Sequence, residues 1–260
     1  MSEITVNGPG IVLASGFEIL FPFILSYIWI KNYNGTITSI LMGIVGFIGS
    51  VAIETLFLTL VTQGIEKTSI IVIIIGLISP GLFEETGRYV CLNYLLKKDK
   101  LKNISVSYGI GHGGIESILL GIILSSNLFT KDIYIEKGLL KESITFLTCL
   151  MSACERLFAV IFHISLSVIV YKSVREQKIN YYIFSIILHD FIDLFAFLKA
   201  KDIITSIYII ELIIAIFSLC CAYYSYNLYI NFEEKKEKEE ENIIPLKEKN
   251  ESSINNSNEI

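Results

Sequence analysis

Apolar stretches long enough to cross a bilayer recur along almost the whole chain, at roughly residues 11–30, 36–62, 68–96, 104–127, 145–171, 180–198 and 203–230. A membrane-spanning helix needs about 20 predominantly apolar residues. Few soluble architectures tolerate seven such runs, so the chain is expected to be an all-α, polytopic transmembrane helix bundle. Its 53% hydrophobic and 18% charged residues agree with this, as does a mean hydropathy of +0.61. The same runs divide the chain into a short N-terminal segment (1–10), a transmembrane helical domain (11–230) and a charged tail (231–260).

The first ten residues, MSEITVNGPG, contain Glu3 and no Lys or Arg. They lack the positive n-region of a cleavable signal peptide, so the first span is expected to remain in the membrane. Thirteen Lys and Arg fall in one set of alternate connections, which includes Lys31, the Lys97/Lys98/Lys100/Lys102 cluster, Lys172/Arg175/Lys178 and the tail, against six in the other. The positive-inside rule then places the N-terminus outside and the C-terminus in the cytoplasm. The tail, rich in Lys and Glu and poor in aromatics, cannot build a core and is expected to be disordered or a frayed helical extension. Most of the net charge of -5 belongs to that tail. No basic stripe remains to support nucleic-acid binding. The five cysteines lie inside spans without CxxC spacing, as small apolar packing residues would.

Ionisable residues inside the spans carry the functional signal. A charged side chain at a helix centre costs about 2.5–3.5 kcal/mol on insertion scales, so such groups face a bundle interior or an aqueous cavity. In span three, Glu84 and Glu85 stand four and three residues before Arg88, close enough for one carboxylate to be neutralised while the other stays available. Span four places His112 and Glu116 at i,i+4. Span five carries Glu155 and Arg156 on roughly the face of His163, and span six pairs His189 with Asp193, beside Asp190. All three histidines of the chain thus lie mid-span beside carboxylates. Spans three to six are therefore expected to enclose one polar mid-membrane cavity. Glu18, Glu54 and Glu211 are further buried acids, expected to hydrogen-bond between helices.

The segment SPGLFEETGRY (79–89) suggests a local break in span three. Ser79 is suited to cap a restarted helix, with Pro80 in its first turn and Gly81 permitting close backbone approach. The expectation is a helix N-terminus directed at Glu84 and Glu85, beside a cavity that solvates the freed backbone groups.

FEETGR, YGIGHGGIE, ERLFAVIFH and HDFID together resemble the motif series of the YhfC family of glutamic-type intramembrane proteases, across about residues 15–225. That family is more distantly similar to the CAAX prenyl protease/bacteriocin-processing group and to PrsW-type proteases. The resemblance implies that Glu84 activates water and that Glu85 with Arg88 forms an orienting pair, here with one residue fewer between them than in the wider pattern. It matches Tyr108-xxx-His112 to an aromatic-xxx-His motif, with Tyr in place of Phe. It also matches His189-xxx-Asp193 to a later His-xxx-Asn motif, with Asp in place of Asn. His163 has no simple counterpart in the prenyl protease scheme.

The reaction so implied is hydrolysis of a peptide bond in a membrane-embedded or lipidated substrate, at a bacterial cell membrane. Water held by Glu84 and His112 would attack, while His189, Asp193 or His163 faced the developing oxyanion. This scheme needs no cofactor. A guanidinium at Arg88 raises the electrostatic cost of a nearby divalent ion, which favours the metal-free form. Two other readings stay open: zinc held by His112, His163, His189 and Glu84 in a metalloprotease, or a proton-coupled carrier using the same groups as a relay.

Overall fold

The computed structural model describes residues 5–66, 68–96, 102–137, 143–201, 203–204 and 206–256. Lys67, Lys97, Lys98, Lys100 and Lys141, which enter the charge asymmetry, lie outside these, as do residues 257–260 of the tail. The helices run α1 Gly8–Tyr33, α2 Ile37–Val61, α3 Ile70–Val90, α4 Asn103–Glu136, α5 Phe146–Glu176, α6 Ile179–Ala200 and α7 Ile207–Asn256. Among the described residues, seven helical segments are long and apolar enough to cross a membrane. They match the seven runs of the sequence to within a few residues at most ends. The backbone of α7 continues beyond its apolar segment, Ile207–Phe232, as helix to Asn256.

Local sequence explains the helix ends. Asn7 accepts from the Gly10 N–H at 2.7 Å and caps α1, whose first turn tolerates Pro9 because an N–H there has no intrahelical partner. Thr145 and Thr148 form a reciprocal capping box at the start of α5. Asn34 and Gln177 close α1 and α5 in the left-handed region, at φ 54° and 53°. Residues 5–7 pair with the segment before α5 through two backbone hydrogen bonds, Asn7 N–H to Ile144 O at 2.8 Å and Ile144 N–H to Thr5 O at 2.9 Å. The N-terminal segment is thereby tied to the bundle.

Two helices lie at the centre. In α5, 67% of the most apolar window is buried, against 11–28% in the other spans, so α5 is the one with least contact with lipid. It packs on α1, α4, α6 and α7. The second, α4, packs on α1, α2 and α5, and its glycines set how closely they approach. A Cβ at Gly111 would strike the Ile40 carbonyl of α2. One at Gly113 would lie 3.0 Å from the His163 Cβ of α5, and one at Gly114 would lie 3.0 Å from Pro22 of α1. The α2 face Ser39, Gly43, Gly46 and Ser50 is buried in the same way against α3 and α4. The large apolar side chains left exposed, on every spanning helix, are those a lipid environment covers.

The expected break in span three does not occur. Pro80 lies inside a continuous α3, and Ser79 does not cap a helix but donates to Glu54 Oε1 at 2.6 Å. Proline removes one N–H and leaves the carbonyl four residues earlier without its helical donor. That earlier residue is Gly76, which lines the polar cavity together with Leu77 and Pro80, so the freed carbonyl has a polar environment without a restart. The departure from α-helical geometry comes later, in a π-helical turn at Cys91–Leu95. Pro22 in α1 is handled similarly. Its freed acceptor is Glu18 O, which receives the Ser117 hydroxyl at 2.9 Å.

Candidate active site and metal-binding cluster

Four helices bring the ionisable residues together. On α3, Glu84, Glu85 and Arg88 project inward within little more than one turn, and all three are buried. His112 comes from α4, His163 from α5 and His189 from α6, with no more than 5% of any of them exposed. Adjacent rings lie close, with centroids 4.9 Å apart for His112–His163 and 5.4 Å for His163–His189.

Arg88 organises one side of this cluster. Its Nε lies 3.1 Å from Glu85 Oε2, the i,i+3 pairing expected from sequence. Its Nη1 donates to His163 O at 2.6 Å and to the Ser167 hydroxyl, which itself donates to His163 O at 2.7 Å. Its Nη2 donates to His163 Nδ1 at 3.1 Å. Guanidinium has no acceptor, so in the neutral ring of His163 Nδ1 accepts and Nε2 carries the proton. That Nε2–H faces Glu116 Oε2 at 2.7 Å. The other oxygen of Glu116 takes Arg156 Nη1 at 2.8 Å, and Arg156 also pairs with Glu155.

His189 has the opposite polarity. Its Nδ1 lies 2.9 Å from Glu85 Oε1. Glu85, compensated by Arg88, accepts there, which leaves the Nε2 lone pair of the neutral ring turned toward Glu84 Oε2 at 3.8 Å and Asp193 Oδ2 at 3.7 Å. A histidine backed by a carboxylate on one nitrogen and open on the other has the arrangement metal-ligating imidazoles use. His112 Nε2 meets the same Glu84 Oε2 at 2.9 Å, while its Nδ1 is buried without a hydrogen-bond partner. Phe47 packs edge-on to that ring at 5.1 Å.

These groups wall a cavity of about 350 Å³. Its polar lining is Glu84, Glu116, Glu155, Arg156, His163, His189 and Asp193. Apolar side chains, among them Phe162, Ile192 and Ile214, complete it. The structure thus gathers Glu84, Glu85, Arg88, His112, His163, His189, Asp193, Glu116, Glu155 and Arg156 into one contiguous network. Two residues singled out by sequence stand apart. The ring of Tyr108 packs 5.9 Å from both His112 and the Arg88 guanidinium, and its buried hydroxyl faces the Cys91 thiol without a well-aligned hydrogen bond. Asp190 packs against Gly81, whose missing Cβ gives its Oδ1 room, and does not line the cavity.

Helical spacing misjudged one partnership. Glu116 does not pair with His112 four residues earlier; it crosses to His163 and Arg156 on α5, and His112 crosses to Glu84 on α3. The close α4–α5 approach at Gly109 and Gly113 makes the interhelical partners nearer than the one on the same face. Ser167, the buried hydroxyl that shares Arg88, was not anticipated; its place four residues after His163 was the available signal. Glu18 and Glu54 do bond between helices, to Ser152 at 2.7 Å and to Ser79.

The donor chemistry suits a metal ion. Glu84, His112 and His163 present ligand atoms within 4.8 Å of one another. Tetrahedral zinc with nitrogen and oxygen ligands at about 2.0–2.1 Å sets donors about 3.4 Å apart, so small side-chain shifts would close such a site. In this set Arg88 holds His163 as a donor; outside it, His189 turns toward Glu84 Oε2, at 3.8 Å, the nitrogen lone pair that His163 lacks. The profile of a family described as YhfC intramembrane metalloprotease matches residues 17–214. The chain belongs to the YhfC family. This YhfC-family chain is 25% identical over 170 residues to the uncharacterized membrane protein YhfC of Bacillus subtilis strain 168, covering 58% of this chain and 66% of that protein. No solved structure matches. The family description and the donor cluster together favour a metal at this site over the metal-free scheme expected from sequence.

Proposed function

We propose that the chain is an intramembrane endopeptidase, metal-dependent, that hydrolyses a peptide bond of a membrane-associated protein. The observation that carries this reading is Glu84 Oε2, 2.9 Å from His112 and 3.8 Å from His189, at the wall of a polar cavity inside a membrane bundle. An ion in this cluster would be held by Glu84, His112 and His189, and zinc there would supply Lewis-acid polarisation of the scissile carbonyl and a more acidic water.

The protein's own groups complete the chemistry. Asp193 lines the cavity with an oxygen that has no hydrogen-bond partner, and it takes the proton of the attacking water. His163, fixed as an Nε2–H donor by Arg88, turns that hydrogen from Glu116 to the carbonyl oxygen as negative charge develops on it. Arg156 meanwhile keeps Glu116 compensated. The C–N bond breaks, the water's hydroxyl stays on the acyl carbon, and Asp193 passes the proton to the leaving amine.

The test uses the purified full chain in detergent against membrane-spanning and lipidated peptides, with cleavage read by mass spectrometry. Hydrolysis should vanish on chelation, return with zinc and be absent in Glu84→Gln. Hydrolysis by metal-free protein would restore the glutamate-only mechanism. Cation or proton flux through reconstituted protein without hydrolysis would favour the carrier reading.

A further inference from the structure

The cavity occupies one half of the bundle only. Taking about 1.5 Å of rise per residue, Ala196 lies about 6 Å from the end of α6, Gly76 about 9 Å from the start of α3, and Ile214 about 10 Å from the start of α7. These ends share the face that carries the α2–α3, α4–α5 and α6–α7 connections. Glu84, Glu116, Phe162 and His163 form its floor, about 20–25 Å below that face for the residues on α3 and α5.

The other half is filled. Below the floor, Cys91, Leu92, Ile104, Tyr108 and Val170 pack into one apolar cluster, and Leu166, Ile169, Cys221 and Leu228 into a second. Along α5 every residue from 165 to 173 is buried, whereas between 150 and 159 only Arg156 is. Water and an unwound peptide approaching from the opposite face therefore meet a packed core.

Charge identifies the faces. The connections on the packed side, with the tail, carry thirteen Lys and Arg against six on the open side. A cytoplasmic excess of Lys and Arg sets orientation, so the packed half is cytoplasmic. We infer that the cavity opens to the non-cytoplasmic face. Its substrates are membrane-anchored proteins whose scissile bond lies in the outer half of a span or just beyond it. The choice of substrate rests on the peptidase reading; the direction of opening does not.

Single cysteines test the direction. The parent is the full chain carrying Cys154→Ala and Cys220→Ala, which removes the exposed thiols and keeps the buried Cys91, Cys149 and Cys221. Ala196→Cys and Ala159→Cys place a thiol in the cavity, Gln63→Cys marks the α2–α3 turn, and Asn180→Cys marks the start of α6 on the opposite face. A membrane-impermeant maleimide should label the two cavity positions and Gln63→Cys in intact cells, and Asn180→Cys only in inside-out vesicles. Labelling of the cavity positions only in inside-out vesicles, or from neither side, overturns the inference, as does labelling of Asn180→Cys in intact cells. Labelling is read without hydrolysis. Outside access in a protein that cleaves no peptide would retain the orientation and overturn the peptidase reading alone.

Discussion

Arg88 is the residue whose loss the structure penalises most. It serves Glu85, the ring and carbonyl of His163, and Ser167 at once, with no part of it exposed. Removing one partner of a buried ion pair typically costs about 3–5 kcal/mol. Arg88→Ala should therefore lower thermal stability in detergent steeply, and Arg88→Lys should recover little, because an ammonium lacks the planar fork that reaches all four acceptors. Tyr108→Phe is the contrasting case. The buried Tyr108 hydroxyl makes no well-aligned hydrogen bond and faces only the Cys91 thiol, a weak acceptor, so its removal should leave stability nearly unchanged. A fall in melting temperature with Tyr108→Phe would show that the hydroxyl is satisfied after all. Much of this site was legible in the sequence, since three histidines and a Glu-Glu-Arg group inside apolar spans have few inexpensive places to go. Their partners were not, because helical spacing ranks neighbours on one helix and says nothing of the helix that packs against it.

At the scale of the element, α4 shows what spacing alone conceals. GIGHGGIE was informative for its histidine and glutamate, yet its glycines decide where those side chains lie, by letting α2, α5 and α1 approach three sides of one helix. Overpacking a well-filled core typically costs about 1–3 kcal/mol. Gly113→Leu should thus destabilise the fold and part His163 from His112, reducing hydrolysis, whereas Gly49→Leu, on α2 with open space at its Cβ, should be neutral in both assays. Pro80 misled for a related reason. A proline in a membrane helix reads as a break, but one lost hydrogen bond beside a polar cavity leaves α3 continuous. Pro80→Ala should accordingly fold and retain the site, as judged by melting temperature and cleavage rate.

The whole molecule couples a packed half, which holds the helices in register, to an open half, which holds the polar groups. The apolar runs made seven spans legible, but not which of them would be central. That depends on small residues whose effect appears only when backbones meet. Glu84, His112 and His189 are proposed to hold a metal that hydrolysis requires. The most direct measurement is elemental analysis of the purified full chain and of Glu84→Gln, with the cleavage rate taken on the same samples. The expected result is about one zinc per active chain, loss of metal and activity together on chelation, and a folded, zinc-poor, inactive Glu84→Gln. Full activity in metal-free protein, or stoichiometric zinc in Glu84→Gln with an unchanged rate, would contradict it.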